Sequence, residues 1–195
     1  MSFSQRNQTH EAFEGEVASW IASRGFLIAE ATYHAVMPLK VADVVRRRET
    51  ATARYLRHRA DRIAVHPTLP IEFEWEAKTH GSAAGHNMAI DAEQWVQFAM
   101  HASLGVRCLL CYQDASADLD RGFWFHNLPP VNRVLLPDRW QGDIRLQMKQ
   151  AIIRWIGVEP TDCGPIGGSN DPLIIVDEAV IRALPDWRAL IGALL

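Results

Sequence analysis

The chain of 195 residues is 48% hydrophobic and 22% charged, with a formal net charge of −3. These values describe one ordinary globular domain with a sizeable core, and they exclude a disordered chain and a protein that coats nucleic acid by bulk charge. No apolar run is long enough to span a bilayer, and the polar start MSFSQRNQTHEAFEGE lacks the basic and apolar regions of a signal peptide, so a cytoplasmic protein with no membrane partner is expected.

Between His10 and Arg24, Phe13, Val17, Trp20 and Ile21 recur at helical spacing, and Gly25 can end that helix in a left-handed cap. A first strand is predicted from about Phe26 to Thr32. After Pro38, Leu39, Ala42, Val44 and Val45 can begin a short helix, and the residues up to Arg59 read as helix or loop. This stretch is basic: from Arg46 to Arg62 seven arginines face only Glu49 and Asp61, a local balance of +5 that leaves −8 for the rest. Such a run is either a solvated face or a phosphate-binding surface, and Arg57, His58, Arg59 and Arg62 are its candidates for nucleic-acid contact.

ADRIAV (60–65) and IEFEWEAK (71–78) read as two strands of a hairpin turned at HPTLP. Alternation in the second strand sets Glu72, Glu74, Glu76 and Lys78 on one face and Phe73, Trp75 and Ala77 on the other. The apolar face is core. The acidic face needs solvent or a cation, because three like charges repel along a strand. Glu72 reads as structural, and Glu74 as a solvent-facing neighbour or a secondary metal contact.

THGSAAGHN is a small-residue loop, and its flanking His80 and His86 read as surface groups. IDAEQWVQFAMHASL is a helix burying Ile90, Trp95, Phe98, Ala99 and Ala102, with Gly105 as its stop, and VRCLLCY is a buried strand. In a strand Cys108 and Cys111 point to opposite faces, and no second pair completes a zinc site, so both read as core. GFWFHNL is a further strand, DIRLQMKQAIIRWIG an amphipathic helix, VEPTDCGPIGGSNDP a long loop, LIIVD a short strand, and AVIRALPDWRALIGALL one or two helices around Pro185. Residues 1–134 form the expected α/β core and 135–195 an extension packed on it.

The predicted hairpin brings Asp61, at the start of one strand, close to Glu76 and Lys78, at the end of the next. Two carboxylates suit a hard divalent cation such as magnesium, which keeps several waters and is commonly held by one or two carboxylates plus substrate phosphate. The lysine projects to the same face, where it can orient water or offset developing charge.

Asp61 followed after a hairpin by Glu76-Ala77-Lys78 resembles the signature of the PD-(D/E)xK nuclease superfamily, which includes restriction endonucleases, phage-type exonucleases and archaeal Holliday junction resolvases. The resemblance spans roughly residues 10 to 128, since the family core runs helix, three strands, helix, strand. It implies a restriction-endonuclease-like α/β fold, a central mixed sheet flanked by helices, with a mainly helical C-terminal extension. It also implies a metal-dependent deoxyribonuclease, an endonuclease acting on DNA with Mg2+, for which Mn2+ substitutes, and a possible homodimer. By that likeness Asp61, Glu76 and the carbonyl of Ala77 hold the metal, and Lys78 positions the attacking water. Glu16 on the first helix supports the metal, with Glu11 and Glu14 as competitors, while Gln94, with Gln97 second, approaches the substrate. Asp43 competes for the role of Asp61. The chain departs from the family in carrying Ala60 where a proline is common and in a longer segment from Tyr33 to Arg59. The alternative is a non-catalytic nucleic-acid-binding or assembly module that keeps this fold.

Overall fold

The computed structural model describes residues 3–32, 37–47, 56, 59–79, 88–125, 162–164, 173–176 and 178–195. Helix α1 (Phe3–Ser23) leads into β1 (Leu27–Glu30), α2 (Leu39–Arg47), β2 (Arg62–Val65) and β3 (Glu72–Thr79). Then come β4 (Met88–Asp91), α3 (Ala92–Ser103), β5 (Cys108–Asp114), β6 (Leu119–Trp124), β7 (Asp162–Gly164), β8 (Leu173–Val176), α4 (Glu178–Ala183) and α5 (Trp187–Gly192).

Five strands form one mixed sheet in the order β1-β2-β3-β5-β6. β1, β2 and β3 make an antiparallel meander, β5 joins β3 in parallel, and β6 returns antiparallel to β5. A parallel neighbour requires a crossover, and α3 supplies it. The chain is thus an α/β protein with a restriction-endonuclease-like core, in the expected order of helix, three strands, helix, strand.

On one face of the sheet, Phe13, Val17 and Ile21 of α1 pack with Phe73, Trp75 and Ala77 of β3, Leu109 and Cys111 of β5, Trp124 of β6, and Trp187 and Ile191 of α5. The three α1 residues sit four apart, so they form one stripe, and that stripe fixes the helix on the strands. Gly25, with φ +91°, donates its amide to Ala22 and closes α1 in the expected left-handed cap. On the other face Trp95 and Phe98 of α3 meet Phe123 and Phe125 edge-on or tilted, with centroids 5.1 to 5.5 Å apart.

The hairpin turn between β2 and β3 is held by His66, whose Nδ1 accepts the amides of Thr68 and Leu69. Two expectations need correction. Met88–Asp91 is strand β4, so α3 starts two residues later than its pattern indicates. Asp162–Gly164, expected within a loop, is strand β7; β4, β8 and β7 make a second, three-stranded antiparallel sheet. β4 pairs with a strand far downstream, and β7 with the nearby β8, and in both places local composition carries no trace of the pairing. The expected helix DIRLQMKQAIIRWIG lies outside the described residues. Among the described residues no helix is long and apolar enough to cross a membrane.

The C-terminal helix α5 is seated by a close approach. A Cβ on Gly122 of β6 would lie 2.8 Å from the carbonyl oxygen of Leu110 and 2.8 Å from Cβ of Trp187, and the Gly122 amide donates to the carbonyl of Pro185 at 2.9 Å. Gly122→Ala should therefore push α5 off the sheet and cost about 1–3 kcal/mol. Urea unfolding should show a lower midpoint, and an unchanged midpoint would contradict this packing.

Candidate metal and catalytic site

The site is built at the end of the β2–β3 hairpin. Arg62 stands opposite Trp75 in the ladder, so one step further Asp61 stands opposite Glu76, and opposed residues share a face. The Asp61 backbone is fixed at both ends: its carbonyl accepts the Ala31 amide at 2.8 Å, and its amide donates to Oε2 of Glu76 at 3.1 Å. Lys78, two residues along the same face, donates from Nζ to Oε1 of Glu76 at 2.6 Å. Glu76 is 1% exposed, so each carboxylate oxygen is held by one donor from a neighbouring residue.

Asp61 bears the electrostatic consequence. Burial and the adjacent charge of Glu76 push its carboxyl up to about 7 from an ordinary 3.8; Lys78 opposes the rise, and Glu14 and a side-chain hydrogen bond to Glu76 add to it. Two carboxyl groups in hydrogen-bonding contact at a partly dry sheet end either share a proton or take up a cation. The donor set consists of hard oxygens, which fits magnesium or manganese. A carboxylate offers about four lone-pair positions, so the bonds to Lys78 and the Asp61 amide leave Glu76 capable of ligation.

The first helix contributes differently from expectation. Glu16 lies on the exposed side of α1 and pairs with the guanidinium of Arg188 on α5, which also binds Asp120 at 2.7 Å. Glu14, half-buried, accepts Nε of Arg62 at 2.7 Å and is near enough to raise Asp61. The α1 acid beside the pair is thus Glu14. Two residues of offset turn a side chain about 200° around a helix, which is why the apolar stripe alone did not separate the two. Asp43 is exposed on helix α2 and pairs with Arg46 at 3.3 Å.

Gln94 is buried in the first turn of α3. It lies seven residues before His101, on the same helix face, and His101 Nδ1 contacts Oε2 of Glu74 at 2.9 Å. A crossover helix runs back along its strands, so the roughly 10 Å of two helical turns carries Gln94 from the level of Glu74 toward that of Lys78.

The basic candidates are less available than expected. Arg62 spends its fork on Glu14 and on Glu30 of β1, each at 2.7 Å, and Arg59 binds Oε1 of Glu74 at 3.0 Å. Both arginines are struts between acids. Arg57 and His58 lie outside the described residues. Glu74, expected as a solvent-facing neighbour or a secondary metal contact, does not face solvent: it is 8% exposed. Burial would raise its carboxyl, but the hydrogen bond and charge of His101, with Arg59, hold it below the ordinary carboxylate value. His101 was not legible as a partner: a lone histidine late in an apolar helix gives no sign that it faces a glutamate.

No protein-family model matches the chain, and no curated protein matches it. Among solved structures the chain is similar to Archaeoglobus fulgidus Hjc, a Holliday junction resolvase from an archaeal hyperthermophile. The similarity covers 94% of this chain and 99% of that one, at 11% sequence identity and a TM-score of 0.47.

A carboxyl raised from 3.8 to about 7 favours the folded protein below the lower value and loses that contribution as pH rises through 7. In chelator, Asp61→Asn should therefore stabilise the protein more at pH 8 than at pH 5, by on the order of 1–2 kcal/mol after solvent screening is allowed for. Thermal melts at the two pH values measure the difference; equal shifts would show that Asp61 is not strained by Glu76.

Proposed function

We propose that the protein is a magnesium-dependent nuclease that hydrolyses phosphodiester bonds of DNA as an endonuclease. The observation that carries this reading is the convergence of Asp61, Glu76 and Lys78 at one end of the hairpin, with both oxygens of Glu76 held in place. Asp61 and Glu76 would hold the ion, with the Ala77 carbonyl as a further ligand and Glu14 as the supporting acid of α1 in place of Glu16. When bound, the ion supplies a more acidic water and a countercharge for the phosphoryl oxygens.

The protein's own groups do the rest. The Asp61 amide and the Lys78 ammonium hold the Glu76 carboxylate in place before a substrate arrives. Lys78 also sets positive charge where charge develops on the phosphate, the kind of preorganised contact that commonly contributes about 100-fold or more to rate. Gln94, at the start of α3, is assigned to the substrate side of the site.

Purified protein incubated with linear, supercoiled, single-stranded and branched DNA should cut at least one of them with Mg2+ or Mn2+ and none in chelator. Lys78→Ala and Asp61→Asn should each lower the rate by about 100-fold or more. Calorimetry should show magnesium binding that Asp61→Asn removes. No cleavage of any substrate, together with salt-dependent DNA binding that ignores the metal, would replace this reading with the non-catalytic binding module.

A further inference from the structure

A second constellation lies one strand step behind Glu76. Glu74 of β3, His101 of α3 and Cys108 of β5 are all buried, and their ligand atoms lie within 4.8 Å of one another. His101 Nδ1 is 2.9 Å and Cys108 Sγ 3.8 Å from the same carboxylate oxygen, Oε2 of Glu74. Three donors of three chemical kinds, brought by three elements, converge on one point. We propose that Glu74, His101 and Cys108 bind a single transition-metal ion, zinc by preference, which ties α3 and β5 to the central strand.

The geometry is close to what zinc requires. Tetrahedral zinc, with bonds of about 2.0 to 2.3 Å, holds its ligand atoms about 3.3 to 3.6 Å apart. The carboxylate–imidazole pair must open and the carboxylate–sulfur pair close, each by less than about 0.5 Å against that standard, while the imidazole–sulfur pair, within 4.8 Å, must close by up to about 1.3 Å. The donors also select the metal: sulfur and imidazole with one carboxylate suit zinc, whereas magnesium takes oxygen ligands. Arg59 occupies the other oxygen, Oε1, at 3.0 Å, which is the outer contact that orients a ligating carboxylate. Three protein ligands leave a fourth position for water.

Burial and the charge of Glu74 hold the Cys108 thiol well above its ordinary value, so the metal-free thiol is protonated. On binding, the S–H bond is broken, the sulfur–metal bond forms and the proton leaves to solvent; no electrons are exchanged. The sequence held this site out of view because Cys108 pairs in strand spacing with Cys111, which faces the opposite core. The proposal does not depend on nuclease activity, since it uses none of Asp61, Glu76 or Lys78 as ligands.

The test is titration of chelator-stripped, full-length protein with Co2+, followed by displacement with Zn2+. One Co2+ per chain should bind with a near-ultraviolet thiolate-to-cobalt band, and Zn2+ should abolish that band. Cys108→Ala should lose the band, and His101→Gln should weaken binding at least about tenfold. Cys111→Ala and Asp61→Asn should keep the band, which separates this site from the magnesium site. Circular dichroism establishes that Cys108→Ala is folded; if it is not, Cys108→Ser takes its place with the same expected loss. Absence of a thiolate band in the wild type, or a band that survives in the folded Cys108 variant, would overturn the proposal and leave Glu74 hydrogen-bonded to His101 and paired with Arg59.

Discussion

Glu74 and Glu76 are carried on the same face of the central strand into the interior, and a carboxylate taken out of water must find a countercharge or give up its own. The surroundings of β3 follow from that requirement. Glu76 receives the Lys78 ammonium and the Asp61 amide, and Glu74 receives Arg59 and His101. Asp61 is left with the poorest share, close to Glu76 and Glu14 and partly desolvated, and its carboxyl is raised accordingly. Under the proposed function, a divalent cation arriving here would relieve that repulsion, and the electrostatic cost in the free protein would become affinity for the ion.

The arginines serve as scaffold between less buried acids. Arg62 crosslinks Glu14 of α1 to Glu30 of β1, and Arg188 ties Glu16 of α1 to Asp120 of β6 and stacks over Trp187 at 4.1 Å. Each guanidinium joins acids from different elements, which its planar fork does well. Two helices, α1 and α5, are thereby held on one face of the sheet, and Trp187 is buried between them against Phe13 and Trp20. Any phosphate contact by these arginines would have to compete with carboxylates already in place.

Much of the core was legible because its signals are local. Phe13, Val17 and Ile21 announce α1 by spacing, Gly25 announces its end, and the alternation of IEFEWEAK puts Phe73, Trp75 and Ala77 of β3 on the core face. Alternation cannot say what covers a face, however. Glu74 shares a side with Glu76 as expected, yet it is buried because α3 closes over it, and that depends on His101, twenty-seven residues away. The choice between Glu14 and Glu16 failed for a related reason: both lie beside the apolar stripe, and Arg62 and Arg188 decide between them through contacts across 48 and 172 residues of chain. Strand β8 was legible from LIIVD alone, whereas β4 and β7 are strands only by pairing with it.

The proposed function rests on the acidic end of β3 being a cation site built on Asp61 and Glu76. Crystals soaked in manganese and measured for anomalous scattering test it most directly. One manganese peak is expected within ligating distance of both carboxylates in the wild-type protein, and its loss in Asp61→Asn. A wild-type crystal with no peak between them, or a peak that persists unchanged in the variant, would contradict it.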